Sequence, residues 1–167
     1  MPAGHENQAP TALSSRFDSP QQQAYLSLWR TYDRLRRLED EFFEQYDLTA
    51  QQYNLLRLLQ AQHPKQVGPA TLGERLISRA PDVTRMLDKL ESRGLIRRTR
   101  TASDRRAILV GLTDAGRRLL EDIAEPLRAC HDRQLGHLTL EELETLIALL
   151  HRARWPHEAD GSPWKSF

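Results

Sequence analysis

Apolar side chains recur every three or four positions over most of the chain, a spacing that predicts amphipathic helices. The first helix is expected from Ser19 to about Tyr46, because Ser19 and Gln22 form a capping-box pattern at its start. Aromatic residues are frequent in its apolar stripe, which consists of Tyr25, Leu28, Trp29, Tyr32, Leu35, Leu38, Phe42 and Phe43. Such a stripe favours contact with another subunit. Packing within the same chain is the alternative. Both interpretations hold if one part of the helix meets another subunit and another part packs within its own chain.

Three further long helices have recognisable start signals. Thr49 and Thr139 are each followed three residues later by Gln or Glu, the capping-box pattern, and Thr113 is a third capping threonine. We expect these helices to end at helix-breaking sites, which are His63-Pro64, Gly136 and Trp155-Pro156. Pro126 lies inside the helix that Thr113 begins, and is expected to kink it or to mark a local break.

The middle of the chain predicts two short helices joined by a tight turn. The first is expected at 72–77, and the connection at 66–70 before it has room for one short strand. The second begins near Pro81 and Asp82, which suit a first helical turn, and ends at Gly94, which tolerates a positive φ. This order is that of a helix-turn-helix.

The second of these helices has two chemically different faces. Its apolar positions follow the i, i+4, i+7 spacing and are Val83, Leu87 and Leu90. Its charged positions follow the i, i+3, i+7 spacing on another face and are Asp82, Arg85 and Lys89. We therefore expect one face to pack on a core and the other face to meet a partner.

A β-hairpin is predicted directly after this helix. Its strands are expected at 95–101 and 107–112, and Ser103 and Asp104 supply the turn between them. The hairpin region carries five arginines, which are Arg97, Arg98, Arg100, Arg105 and Arg106. A tight hairpin with arginines near its tip fits a groove that is too narrow for a helix. The helix and the hairpin together indicate an interface for duplex DNA.

Charge is unevenly distributed along the chain, although the net charge is only +1. Residues 48–113 hold 12 Lys and Arg against 5 Asp and Glu, so this segment carries +7 and the rest of the chain −6. A basic segment within an acidic frame is typical of a DNA-binding module. A solvated basic face fits the charge count equally well, but the clustering of arginines on one helix and one hairpin favours DNA.

Several classes of protein are excluded by what the sequence lacks. No apolar run approaches the ~20 residues of a membrane span, residues 1–8 lack signal-peptide features, and one cysteine cannot form an intramolecular disulfide. We therefore expect a reducing cytoplasm and no membrane contact. Motifs for phosphate loops, zinc proteases, redox dithiols and nucleophile elbows are missing, so no catalytic residue and no cofactor is expected. No metal site is expected either, because the neighbours Cys130 and His131 point apart on a helix.

Six short motifs occur in the middle of the chain: Leu72-Gly73-Glu74-Arg75-Leu76, Val83-Thr84-Arg85, Leu90-Glu91, Gly94-Leu95-Ile96, Asp104-Arg105-Arg106 and Leu112-Thr113-Asp114-Ala115-Gly116. In this order and spacing they resemble the MarR family of winged helix-turn-helix regulators. The resemblance implies a mainly α fold with a small β wing, in which a winged helix-turn-helix module is joined to a helical dimerisation region.

The implied division of the chain has four parts. They are a flexible N-terminal arm (1–18), a dimerisation region (19–47 and 114–155), the DNA-binding module (48–113) and a C-terminal tail (156–167). The tail contains Trp164 and Phe167, and it is expected to be disordered or to lie on a partner.

The resemblance and the chemistry of DNA together assign roles to the charged residues of the module. Base contacts in the major groove are expected from Pro81, Asp82 and Arg85, because arginine binds guanine O6 and N7 with two hydrogen bonds. An ion pair with Asp82 or Asp88 is the alternative for Arg85. Three roles stay open for Asp82, which are accepting from a cytosine amino group, capping the helix and orienting Arg85.

Roles in the hairpin follow from the same resemblance. Arg106 matches the wing arginine that enters the minor groove in the family, Arg105 is placed to share that role, and Asp104 matches the acid that braces the wing. Narrow minor grooves concentrate negative potential and attract arginine. Contacts with DNA phosphates are expected from Thr71, Arg75, Arg79, Thr84, Lys89, Arg97, Arg98 and Arg100.

The function implied by the resemblance is that of a homodimeric transcriptional regulator, usually a repressor, which binds a pseudo-palindromic operator. Many members of the family release DNA when they bind small aromatic ligands. Trp29, Tyr32 and Tyr53 are expected either to line such a ligand pocket or to belong to the core. The alternative function is an architectural or protein-interaction winged-helix protein without a specific operator.

Overall fold

The computed structural model describes residues 17–77, 82–100 and 108–166. The described chain is mainly helical and contains one small antiparallel sheet, as the sequence predicts. In chain order the elements are α1 (Pro20–Glu44), α2 (Ala50–Gln62), α3 (Pro69–Arg75), α4 (Val83–Ser92), β1 (Ile96–Arg100), β2 (Ile108–Leu112), α5 (Asp114–Leu135) and α6 (Leu140–Arg154). Two short 3-10 turns, Trp155–His157 and Pro163–Ser166, follow α6.

The chain divides into two compact units, 1–38 and 39–167, and the boundary falls within α1. In the first unit the predicted start of α1 is confirmed, because the Ser19 hydroxyl accepts from the Gln22 backbone N–H at 3.1 Å. The Gln22 side chain in turn accepts from the backbone N–H of Asp18 at 2.8 Å, one residue before the expected donor.

Side-chain caps begin α2, α5 and α6 at the predicted threonines. Thr49 and Thr139 both form complete capping boxes, with Gln52 and Glu142 as their partners. The backbone N–H of Thr139 donates to the Glu142 carboxylate at 2.8 Å, and this hydrogen bond lowers the pKa of Glu142. Thr113 caps α5 through the backbone N–H of Gly116 at 3.0 Å.

The core lies in the second unit, where α2, α4, α5 and the hairpin meet. Its most deeply buried side chains are Phe43, Leu55, Leu56, Leu59, Leu72, Leu87, Leu90, Ile96, Val110, Ile123 and Cys130. Complete burial of one leucine or phenylalanine stabilises a fold by roughly 1.5–3 kcal/mol. The core therefore determines which side of α4 faces solvent.

The hairpin is extended sideways by a third segment. β1 and β2 pair in antiparallel register, and Val67 forms an isolated bridge with Val110, with both hydrogen bonds at 2.9 Å. This bridge confirms the short extended segment expected at 66–70. Beside it, the Thr99 hydroxyl donates to the Gln66 side chain at 2.5 Å. The connection between α2 and α3 thus binds both strands of the hairpin, through Val67 and Gln66.

The bounds predicted for α3 are wrong, and one of the two alternatives for Pro126 is excluded. α3 begins at Pro69 rather than at Leu72, because a proline at the first helical position loses no hydrogen bond. It ends at Arg75, two residues early, since Leu76 is already extended. α5 is continuous through Pro126, so the alternative of a local break at that proline does not hold.

The C-terminal segment folds back on the end of α6, so the expected disorder is wrong for the residues described. The Trp164 carbonyl oxygen accepts from the Arg154 guanidinium at 3.5 Å. Lys165 binds the Asp160 carboxylate at 2.6 Å, and its ammonium lies 5.6 Å from the centre of the Trp155 ring. These contacts join residues that show no helical periodicity, which is why the sequence pattern does not predict them.

Gly116 lies where the first turn of α5 meets the base of the hairpin. A Cβ atom at this position would lie 2.2 Å from the Leu95 carbonyl oxygen and 2.7 Å from Leu112 Cδ1. The Thr113 hydroxyl, which caps the same turn, also contacts the Leu95 carbonyl oxygen at 2.9 Å. Backbone packs directly on backbone here, and only glycine allows that approach.

We predict that Gly116→Ala destabilises the fold, because the added methyl group would overlap a backbone oxygen that cannot move without shifting the hairpin. Overpacking of this kind costs about 1–3 kcal/mol. The measurement is the free energy of unfolding from urea titration, followed by circular dichroism.

Gly73→Ala is the matched control, since its Cβ would make an ordinary 3.5 Å contact with Val83. Alanine is favoured over glycine within a helix by about 0.5–1 kcal/mol, so this variant should be neutral or more stable. Equal free energies of unfolding for the two variants would contradict the assigned role of Gly116.

Candidate nucleic-acid interface

α4 begins with a side-chain cap from an acid. Asp82 is its N-cap residue, and the Asp82 carboxylate accepts from the backbone N–H of Arg85 at 2.8 Å. A carboxylate at this end also interacts favourably with the helix dipole. Of the three roles left open for Asp82, capping is the one observed, and a base contact stays a prediction. Pro81 lies outside the described residues.

Arg85 is exposed in the first turn of α4. Neither acid proposed as its alternative partner binds its guanidinium, because Asp82 caps the helix and Asp88 binds Arg98 at 2.5 Å. Over the ranges that the structure describes, no carboxylate lies within ion-pair distance of Arg85. A groove of about 250 Å³ between α4 and the start of α2 lies beside it. The guanidinium is therefore available to an external acceptor.

The last turn of α4 is bound to the turn between α1 and α2. Asp47 adopts a φ of 49°, and its carboxylate lies 3.2 Å from the Lys89 ammonium. Arg93 donates to the carbonyl oxygen of Asp47 and, at 3.0 Å, to that of Tyr46. Lys89, which the sequence assigns to a phosphate, is thus engaged within the chain. No sequence signal marks Asp47, because its partner Lys89 is 42 residues away.

Arg98 joins β1 to α4. Its guanidinium lies 2.5 Å from Asp88 Oδ1 and 3.5 Å from Glu91 Oε2, and its backbone N–H donates to Glu91 Oε1 at 2.9 Å. Only 21% of its side chain is exposed. This geometry favours a role within the chain over the expected phosphate contact, because the guanidinium is engaged by carboxylates of α4.

The other predicted contacts fall into two groups. Those described are Thr71, Arg75, Thr84, Arg97 and Arg100, of which Thr71 is half-buried and the rest are exposed. Those outside the described residues are Arg79, Pro81, Asp104, Arg105 and Arg106. The roles of both groups stay predictions.

The aromatic residues expected to line a ligand pocket differ in their surroundings. Trp29 and Tyr32 are 61% and 59% exposed, and the Trp29 ring lies 6.3 Å from that of Tyr25. Tyr53 is half-buried, with its ring centre 4.9 Å from that of Phe43. Burial raises the pKa of Tyr53 above its ordinary value. The ligand pocket stays a prediction.

The described residues contain neither a candidate metal cluster nor a helix suited to a membrane. Among them, no group of three or more His, Cys, Asp or Glu side chains is placed to hold a metal ion. None of the described helices is long and apolar enough to cross a membrane. Cys130 is buried in the core, where it acts as a small apolar side chain.

The order α2, α3, α4, β1, β2 is that of a winged helix-turn-helix, in which two short helices precede a hairpin. The exposed cation at the start of α4 and the arginine-rich hairpin define a DNA-binding protein of this class.

Comparison with known proteins identifies the family. The sequence model of the MarR family matches residues 48–108. The solved MarR transcription factor from Planctomyces limnophilus is 53% identical over 81% of this chain and 98% of its own, with a TM-score of 0.66. A mutant MarR from E. coli complexed with operator DNA is 27% identical over 78% of this chain and 93% of its own, with a TM-score of 0.69. The HTH-type transcriptional regulator PecS of Dickeya dadantii (strain 3937) is 31% identical over 117 residues, which are 70% of each protein.

The chain belongs to the MarR family and is a DNA-binding transcriptional regulator. Members of this family are transcription factors and not enzymes.

Proposed function

We propose that this chain binds a pseudo-palindromic operator as a homodimer and represses transcription there. The observation that carries the proposal is the exposed Arg85 guanidinium on a helix whose opposite side is buried. In a twofold dimer, two such helices reach successive major grooves about one helical turn apart. Repression follows when the bound dimer occupies DNA that the polymerase needs.

Base recognition is assigned to the first turn of α4. Arg85 has the fork of donors that matches guanine O6 and N7, and a carboxylate such as that of Asp82 accepts from a cytosine amino group. Pro81 is the third residue assigned to this contact. The cap at 2.8 Å supports this role, because it holds the backbone of Arg85 in a fixed place.

The hairpin is assigned to the adjacent minor groove. Arg106 would enter the groove, Arg105 would lie beside it, and Asp104 would brace the turn. The antiparallel pairing of β1 with β2 supports this assignment, because it forms the two strands of a wing. An arginine in a narrow A·T-rich groove gains from its deeper negative potential.

Phosphate contacts position the protein on the duplex without reading its sequence. We assign them to the exposed residues Arg75, Thr84, Arg97 and Arg100, together with Thr71 and Arg79. Lys89 stays in this set although it pairs with Asp47, because 49% of its side chain is exposed. Arg98 is left out of this set, because its guanidinium is engaged by Asp88 and Glu91.

Dimerisation is assigned to residues 19–47 and 114–155, and DNA binding to residues 48–113. Large apolar side chains exposed on α1 are Tyr25, Leu26, Leu28, Trp29 and Tyr32. Those exposed on and just after α6 are Leu140, Ile147, Leu149, Leu150 and Trp155. No residue of α6 is buried in the single chain. Apolar surface of this extent usually marks an interface between proteins.

We predict that Arg85→Ala lowers affinity for the operator and relaxes preference at one base pair in each half-site, by roughly 1–3 kcal/mol. The cause is the loss of two hydrogen bonds to guanine. Affinities for operator and random DNA are to be compared by fluorescence anisotropy at fixed salt, after footprinting has located the operator upstream of the protein's own gene.

Arg128→Ala is the matched control, because Arg128 is an exposed arginine of α5 paired with Glu125. Equal losses on operator and random DNA would show that Arg85 contacts a phosphate. A wild-type protein that does not distinguish the two DNAs would favour an architectural winged-helix protein.

We predict a dimer of about twice 19.3 kDa at micromolar concentration, measured by light scattering. Ile147→Glu should yield monomers, because it places a charge in the proposed dimer interface on α6. In the single chain, Ile147 is 65% exposed. Ile77→Glu is the same change at a 70% exposed isoleucine of the DNA-binding module and should leave the dimer intact. A monomeric wild-type protein would end the proposal.

Release of DNA by a small aromatic ligand is the regulatory part of the proposal. Its support is the pair Trp29 and Tyr32, two exposed rings separated by three positions on the same helix and therefore neighbours on its surface. A ligand weakens DNA binding only when it binds the released state more tightly than the bound state.

We predict that a ligand from a panel of small phenols quenches the fluorescence of Trp29 and lowers operator affinity over the same concentration range. Trp29→Phe should lose the quenching, whereas Trp155→Phe should keep it. Release without a change in Trp29 emission would place the ligand elsewhere, and no release by any phenol would remove this part of the proposal.

A further inference from the structure

We propose that Arg98, Asp88 and Glu91 form a clamp that sets the pose of the hairpin against α4. Arg98 is then a positioning residue, which controls how the helix and the hairpin read DNA together without contacting DNA itself. The inference rests on the proposed function, because it takes the two elements to read adjacent grooves.

The clamp spans α4 along one line of its surface. Thr84, Asp88 and Glu91 follow the i, i+4, i+7 spacing, which places them on one side of the helix. Arg98 contacts all three, through the Thr84 carbonyl oxygen at 3.5 Å and the two carboxylates at 2.5 Å and 3.5 Å. A guanidinium that contacts groups of three residues on one side of α4 restrains both the rotation and the tilt of β1 relative to that helix.

The position of Arg98 along β1 gives the clamp its effect. The base of the hairpin is held by the core, where Ile96 and Val110 are buried. Arg98 lies two residues beyond Ile96, in the direction of the hairpin tip. A contact beyond the buried base gives β1 a second point of attachment to α4, in addition to the core.

The clamp also explains why a DNA-binding helix carries two acidic residues. Asp88 and Glu91 would repel phosphates, and their side chains are 61% and 41% exposed. Binding to the Arg98 guanidinium offsets one of the two negative charges and directs the carboxylates toward the hairpin. Arg97 and Arg100, its neighbours on β1, are exposed and carry no such partners in the described ranges.

Two variants with opposite changes in charge test the clamp. Asp88→Asn removes a negative charge, and Arg98→Gln removes a positive one. Simple attraction to DNA would make the first bind more tightly and the second more weakly on every sequence. If the clamp positions the hairpin, both variants instead lose the same property, which is discrimination between operators with A·T-rich and G·C-rich flanks.

The experiment measures affinities of the full-length dimer for two operators that share a centre and differ in their flanks, at matched salt. We expect each variant to reduce the affinity ratio roughly two- to fivefold, the range for a partly exposed ion pair of up to about 1 kcal/mol. Arg98→Lys should give an intermediate ratio, because lysine keeps the charge but cannot span both carboxylates.

Matched controls come from α5. Glu125→Gln and Arg128→Gln make the same charge changes in an exposed ion pair of 2.8 Å, and they should leave the ratio unchanged. Circular dichroism and thermal melting identify any variant that does not fold. If Arg98→Gln does not fold, the exposed Asp88→Asn carries the test alone.

Four outcomes would overturn the clamp. Tighter binding of Asp88→Asn to both operators at an unchanged ratio would reduce Asp88 to a repelling acid. Uniformly weaker DNA binding by Arg98→Gln, with a salt slope lower by about one, would make Arg98 a phosphate contact.

Arg106→Ala is the reference variant, since it removes the proposed wing contact itself. If its loss does not depend on the flanks, the proposed wing role fails and the clamp falls with it. A flank-dependent loss for Arg106→Ala with unchanged ratios for Asp88→Asn and Arg98→Gln rejects the clamp alone.

Discussion

Burial of Leu87 and Leu90 is the constraint on which the DNA-binding face of the chain depends. The two side chains are 2% and 0% exposed, and burying each contributes roughly 1.5–3 kcal/mol. A helix turns by about 100° per residue, so any slippage by one position would expose both leucines. The core thereby fixes the rotation of α4. Arg85 faces solvent because the apolar side of the helix must face the core. The exposure of Arg85 is in this sense a consequence of packing.

Elements that depend on nearby residues could be predicted from the sequence. The caps at Thr49, Thr113 and Thr139 join residues three positions apart, and each was found where the pattern placed it. Gly94, with a φ of 68°, ends the region of α4 as expected. The C-terminal segment could not be predicted, because its contacts are polar, irregular and independent of any helical or strand period.

The candidate site shows where sequence reasoning reaches its limit. Arg85, Arg93 and Arg98 are chemically identical, yet one is exposed, one binds backbone carbonyl oxygens and one binds two carboxylates. Motif spacing placed Arg85 correctly on the outer side of its helix. It could not assign the other two, because their partners on α4 and before α2 become neighbours only when the chain has folded.

Asp47, in the turn after α1, is bound to the end of α4 by Lys89 and Arg93. Its left-handed backbone is one that aspartate adopts more readily than most non-glycine residues, and contacts with Lys89 and Arg93 hold it there. Both cations belong to the end of one helix. The turn after α1 and the end of α4 are therefore attached to each other directly, through one aspartate and two cations.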